Sequence, residues 1–170
     1  MREIEQLKEP AILGQIRQAS EQIGFDMASE QRTGSLLRTL VATKSSGNFL
    51  EIGTGTGLGT AWMLSGMDQR SRLTTIEQNN TFACIAQQYL GADQRVTFRI
   101  EDAGKWLEKA PNAQFDLIFA DAWPGKYSHL ETALGLLKIG GIYREHPTFD
   151  KIVNCRADHS GKHSAEPTWH

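Results

Sequence analysis

Residues 49–64 read FLEIGTGTGLGTAWML, and Gly53, Gly55, Gly57 and Gly59 fall within seven positions of this stretch. The apolar residues before the glycines have strand character, and Gly57–Ser65 has helix character. The glycines therefore belong to a turn between a strand and a helix. A turn with so few side chains lets backbone amides approach a ligand closely. It also fixes the first unit of a larger pattern, because strand–turn–helix units repeat from Asn48 onward.

In that repeat, NFLEIG is a strand, Gly57–Ser65 a helix, Leu73–Glu77 a strand and Thr81–Leu90 a helix. Arg95–Ile100, a short helix around Gly104–Lys109, and the most hydrophobic strand, Phe115–Asp121, follow. Leu130–Leu137 is helical, and Gly140–Tyr143 opens a fifth strand. Regular alternation with short links predicts an α/β fold, a Rossmann-like, mostly parallel sheet with helices on both faces. Ligands of such sheets sit beyond the carboxyl ends of the strands. Glu51, Glu77, Asp102 and Asp121 fall at or just past those ends, which predicts four carboxylates along one rim.

The first 45 residues read as a helical cap. Ile12, Leu13, Ile16, Ala19 and Ile23 share one face after Pro10, Gly24 stops that helix, and Ser29 suits the N-cap of a second. That second helix buries Leu36, Leu37, Leu40 and Val41. Residues 1–145 thus form one domain, and residues 146–170 lose the alternation. The tail carries Pro147 and Pro167 and few apolar residues apart from Ile152 and Val153, so a disordered or loosely attached end, with the C-terminal strands missing or atypical, is expected. Cys155, His159 and His163 are spaced by four, as zinc ligands on a helix would be. Gly161 breaks that helix and no Cys-x-x-Cys accompanies it, so a His-rich tail without metal is favoured.

Composition narrows the class. A net charge of −2 with interspersed signs gives no basic footprint for nucleic acid. No apolar run approaches the roughly 20 residues that cross a bilayer, and MREIEQLKEP lacks the apolar core of a secretory signal. Cys84 and Cys155 are too few for a disulfide framework. A cytoplasmic location is expected.

Three ligand classes use glycine turns of this kind. A nucleoside triphosphate needs G-x-x-x-x-G-K-[ST], and no lysine lies between Lys44 and Lys105. A dinucleotide needs G-x-G-x-x-G, but Leu58 or Thr60 occupies the third glycine position, depending on the starting glycine. S-adenosylmethionine carries a cationic sulfonium and two ribose hydroxyls but no phosphate. Glu51 suits its methionine end, and Glu77 can accept from both hydroxyls.

FLEIGTGTGLGT, LTTIE, RIEDAGKWL and FDLIFADAWPGKY, in this order, resemble class I S-adenosylmethionine-dependent methyltransferases. Within them the chain is similar to the small-molecule O-methyltransferases related to catechol O-methyltransferase, over about Ser29 to Tyr143. The resemblance implies that Gly53, Thr54, Gly55 and Gly57 wrap the methionine end, that Glu77 binds ribose, and that Asp102 and Ala103 line the adenine. It puts Asp121 on the cofactor side, where catechol enzymes also ligate magnesium, and Trp123 beside the cofactor. The implied reaction is methyl transfer to a hydroxyl of a small molecule.

Two positions depart from the metal-dependent pattern. Pro124 stands where a lysine is expected, leaving Lys126 as the nearby substitute, and His146 and Pro147 stand where an acidic or amide pair follows the fifth strand. Magnesium needs several oxygen ligands, so these residues count against metal dependence. Asp121 and Lys126 are then the candidates for handling the acceptor proton, with His146 a weaker one. Relatives complete the sheet with further strands; their loss would leave an open edge and favour a homodimer. A non-catalytic cofactor-binding module and an RNA or protein methyltransferase are the alternatives. Against the latter, the N-P-P-[YF] signature is absent.

Overall fold

The computed structural model describes residues 8–25, 31–145, 152–157 and 163–167, the last two segments as backbone. Helices α1 (Leu13–Gln22) and α2 (Gln31–Ala42) precede an alternating series. The series is β1 (Asn48–Ile52), α3 (Leu58–Gly66), β2 (Arg72–Glu77), α4 (Asn80–Leu90), β3 (Val96–Ile100), α5 (Ala103–Leu107) and β4 (Phe115–Ala120). A single turn, α6 (Trp123–Lys126), then α7 (Leu130–Gly135) and β5 (Leu137–Glu145) follow. Strands β6 (Ile152–Ala157) and β7 (His163–Pro167) close the series.

The sheet order is β3-β2-β1-β4-β5-β6-β7. Strands β1 to β5 run parallel, while β6 and β7 add antiparallel pairs. Alternate side chains of the central strands feed two cores. Phe49, Leu73, Leu117 and Phe119 pack with α1, α2 and α3, whereas Leu50, Ile52, Ile76 and Ile118 pack with α5 and α7. Helix α3 is buried at every position from Leu58 to Leu64, as expected for an apolar helix held between the sheet and α2.

Gly24 ends α1 as expected. It takes φ +68°, its N–H donates to the Glu21 carbonyl, and the Phe25 N–H donates to the Ser20 carbonyl. This double bond pattern is a Schellman cap. Two face assignments change. Ile23 is 40% exposed, and Ser20 takes the buried place with its hydroxyl bonded to the Ile16 carbonyl and to Thr56. Hydropathy alone does not mark a hydroxyl that finds its partners inside. The Ser29 cap lies outside the described residues.

In the tail, two segments add strands to the sheet. Residues 152–154 pair with β5, and residues 163–167 pair with residues 153–157. Ile152 and Val153 have strand propensity, and β5 offers an unpaired backbone edge that a following strand can satisfy. Cys155 and His163 therefore sit on strands rather than one helix face, and His159 lies outside the described residues.

Helices α2 and α3 touch through Gly34. A Cβ there would stand 2.2 Å from the buried Trp62 indole. Gly34→Ala should therefore destabilise the protein by about 1–3 kcal/mol, the range for overpacking, measured as a fall in thermal unfolding temperature. An unchanged temperature would refute the close contact.

Candidate functional site

The ends of β3, β2, β1 and β4 lie side by side, so the positions of Asp102, Glu77, Glu51 and Asp121 follow one another in strand order. A cleft of about 650 Å3 opens over the turn after β1. Its lining includes Gly53, Thr54, Gly55 and Thr56 from that turn and Glu77, Gln78, Asn79 and Phe82 beyond β2. The lining continues with Asp121, Ala122, Trp123, Lys126 and Tyr127, of which Asp121 and Ala122 lie against Gly53, and Phe25 enters from the end of α1.

The turn is fastened to β2. The N–H groups of Gly53 and Thr54 donate to the Ile76 carbonyl at 2.9 and 3.1 Å. The Gly55 N–H donates to Glu77 Oε2 at 2.9 Å, and the Asn79 N–H donates to Glu77 Oε1 at 2.8 Å. Gly53 and Gly55 take φ of +98° and +53°, values that side chains disfavour. A Cβ on Gly55 would also stand 3.0 Å from the Phe25 ring.

Glu51 lies behind the turn rather than in the cleft lining, only 1% exposed. Its Oε2 accepts the hydroxyls of Thr60, in α3, and Thr75, in β2, at 2.5 and 2.7 Å. Thr75 Oγ1 is in turn 2.6 Å from Thr54 Oγ1. Since the Thr75 hydrogen points to Glu51, Thr54 donates to Thr75, and the turn is tied to the buried acid through two hydroxyls. Burial pushes the Glu51 carboxyl up to about 8 against the opposing pull of those hydroxyls, and the negative Asp121 and Glu77 push the same way.

The other expected residues divide. Gly53, Thr54, Gly55, Glu77, Asp121, Trp123 and Lys126 all line the cleft. Gly57 caps α3 and packs against Ala86 and Leu90 of α4. Asp102 caps α5, its Oδ1 accepting the Lys105 N–H at 2.8 Å, and Ala103 is buried beneath. These three and Glu51 are outside the lining. Trp123 and Tyr127 are 68% and 56% exposed with ring centroids 4.6 Å apart, and Lys126 Nζ lies 5.1 Å from the centre of the Tyr127 ring.

Residues without a sequence-stated role also enter. Phe25 and Phe82 meet edge to face at 4.8 Å and, with Gln78 and Asn79, form one cleft wall. The helix-stopping Gly24 was the available signal for Phe25, since the residue after such a stop leaves the helix in a fixed direction. As to metal, among the described residues no group of three or more His, Cys, Asp or Glu is placed to hold an ion. His146 and Pro147 lie outside those residues. Asp121 is the one described residue at an expected metal position. Among the described residues no helix is long and apolar enough to cross a membrane.

Residues 3–155 match the family model described as O-methyltransferase. A Mycobacterium leprae (strain Br4923) protein named "Putative O-methyltransferase MLBr01075" is 32% identical over 145 residues, covering 82% of this chain and 64% of that protein. A Mycolicibacterium vanbaalenii protein named "Putative O-methyltransferase" is 30% identical over 148 residues, with the same two coverages. The chain thus spans 64% of the length of these curated relatives. Among solved structures, the O-methyltransferase TomG from Streptomyces achromogenes, involved in tomaymycin synthesis and crystallised in complex with SAM, is similar with a TM-score of 0.73. It is 29% identical, over 82% of this chain and 66% of that one.

The raised Glu51 carboxyl gives stability a sign with pH. Between its ordinary value of 4.5 and about 8, the folded protein keeps a proton that the unfolded chain has released. Stability from this group therefore falls as pH rises through that window, by at most about 1.4 kcal/mol per unit. Glu51→Gln keeps an acceptor for the two hydroxyls and removes the titration. Its unfolding temperature should gain on the native protein as pH rises from 5 to 8. Parallel curves would show that Glu51 does not hold its proton in the fold.

Proposed function

We propose that this chain, which belongs to the O-methyltransferase family, moves a methyl group from S-adenosylmethionine to a hydroxyl of a small molecule. The observation that carries the reading is the glycine turn fastened to Glu77 with Asp121 in the same cleft lining. Two acids beside a turn whose Gly53, Thr54 and Gly55 amides are already bonded within the protein suit a cationic nucleoside and repel phosphate. TomG, similar over most of this chain, was crystallised with SAM.

Each Glu77 oxygen accepts one backbone amide and retains a lone pair for a ribose hydroxyl. Gly53, Thr54 and Gly55 would flank the methionine end, Gly57 would orient the turn, and Glu51 would hold it from behind. Asp102 and Ala103 would line the adenine from the β3 side, and Trp123 would pack on the cofactor. When bound, S-adenosylmethionine supplies a methyl group already activated for in-line displacement. The protein's remaining tasks are alignment and removal of the acceptor proton. Asp121 and Lys126 are the lining groups proposed to take that proton. A small-molecule acceptor, rather than RNA, fits the net charge of −2.

Calorimetry tests the reading. S-adenosylmethionine should bind, and Glu77→Ala, checked for intact folding, should weaken binding by about tenfold or more, since hydrogen bonds to a charged group are worth about 1.5–3 kcal/mol. Transfer of labelled methyl to catechol or another phenol should follow. Absence of heat from folded native protein would overturn the proposal.

A further inference from the structure

The part of the cleft lining that follows β4 has an unusual support. Residues Trp123–Lys126 make only one turn, with Pro124 (φ −64°, ψ 140°) and Gly125 (φ +87°, ψ −33°) outside helical dihedrals. So short a turn has little stability of its own. Burial does not fix its side chains either, because Trp123 and Tyr127 stand largely in solvent.

What presses the turn onto the sheet is Gly125, the buried member of α6. A Cβ at Gly125 would stand 2.9 Å from Ile52 and 3.1 Å from the Tyr143 hydroxyl. That hydroxyl donates to the Gly125 carbonyl, while the Gly125 N–H donates to the Ser128 carbonyl at 2.7 Å. Tyr143 itself is 2% exposed on β5, in the apolar cluster of Leu50, Ile52, Ile118 and Leu134. A phenylalanine would fill the same space in that cluster. The hydroxyl is therefore explained by its partner, the carbonyl of the turn.

We propose that Tyr143 is a positioning residue for the methyl-transfer site: its buried hydroxyl holds the Gly125 carbonyl and thereby fixes the turn that stands Trp123, Lys126 and Tyr127 on the cleft wall. Burial, reinforced by the negative Glu145, raises the Tyr143 hydroxyl above its ordinary value, so it remains a donor across the working pH range. Tyr143 touches no reacting atom. It acts through the Gly125 peptide on the lysine and the two exposed aromatics. The link to methyl transfer rests on the function proposed above; the anchoring of the turn does not.

Tyr143→Phe in the full chain separates these statements. Loss of one buried hydrogen bond should lower the unfolding temperature by only a few degrees. The turn should open roughly two- to tenfold more often, and trypsin should cleave after Lys126 faster by the same factor, with cleavage after Lys44 unchanged. Saturating S-adenosylmethionine should suppress the extra cleavage. Equal rates after Lys126 in both proteins, or equal acceleration at Lys44, would overturn the proposal. Selective acceleration without heat or protection from S-adenosylmethionine would leave Tyr143 as anchor of the turn, but would overturn its assignment to this reaction.

Discussion

Glu51 puts a carboxyl group on the buried face of a central strand, where transfer from water is costly unless donors meet it. Thr60 and Thr75 supply them, one from the helix after the glycine turn and one from the neighbouring strand. The same acid thus joins β1, β2 and α3, the three elements that frame the turn, and Thr54 extends the chain of hydroxyls into the turn itself. An apolar residue at position 51 would leave the two threonine hydroxyls without their acceptor. Glu77 completes the arrangement from the solvent side by accepting the Gly55 N–H. The turn is held between a buried acid and a half-buried one.

The part of the lining that follows β4 is held differently, from the other face of the sheet. Tyr143 lies in the cluster with Leu50 and Ile118, whereas Thr60 lies on α3, whose side chains pack into the cluster with Phe49 and Phe119. The cleft opens where these two supports meet, along the ends of β1 and β4, whose central pairing puts Ile52 beside Ala120. The Asp121 N–H donates to the Ile52 carbonyl at 2.7 Å, so the acid of one wall begins one bond from the turn of the other. A rigid sheet edge therefore sets the spacing of the two walls, and short loops carry the chemistry.

Much of this was legible in the chain because it depends on local pattern. The strand–helix alternation fixed the parallel core, and the residue types at strand ends picked out Glu77 and Asp121, both in the cleft lining. Gly24 marked the end of α1 through its backbone freedom. What the pattern did not carry was tertiary. Whether Glu51 faces the cleft or its back depends on Thr60 and Thr75, and nothing local marks those threonines as its partners. Asp102 turned to capping α5, a use open to any aspartate ahead of a helix. Phe25 and Tyr143 are ordinary apolar positions in the sequence, and their roles come from distant contacts with Gly55, Phe82 and Gly125. The pairing of residues 152–154 with β5 likewise follows from an available edge rather than from the composition of the tail.

The most direct measurement is a crystal structure of the protein grown with S-adenosylhomocysteine, the neutral product of the proposed reaction. Density for the nucleoside should lie against Gly53 and Gly55, with its ribose hydroxyls within hydrogen-bond distance of the Glu77 carboxylate and its sulfur facing Asp121. An empty cleft at saturating ligand, or a nucleoside bound away from Glu77, would contradict the assignment of this turn as the cofactor site.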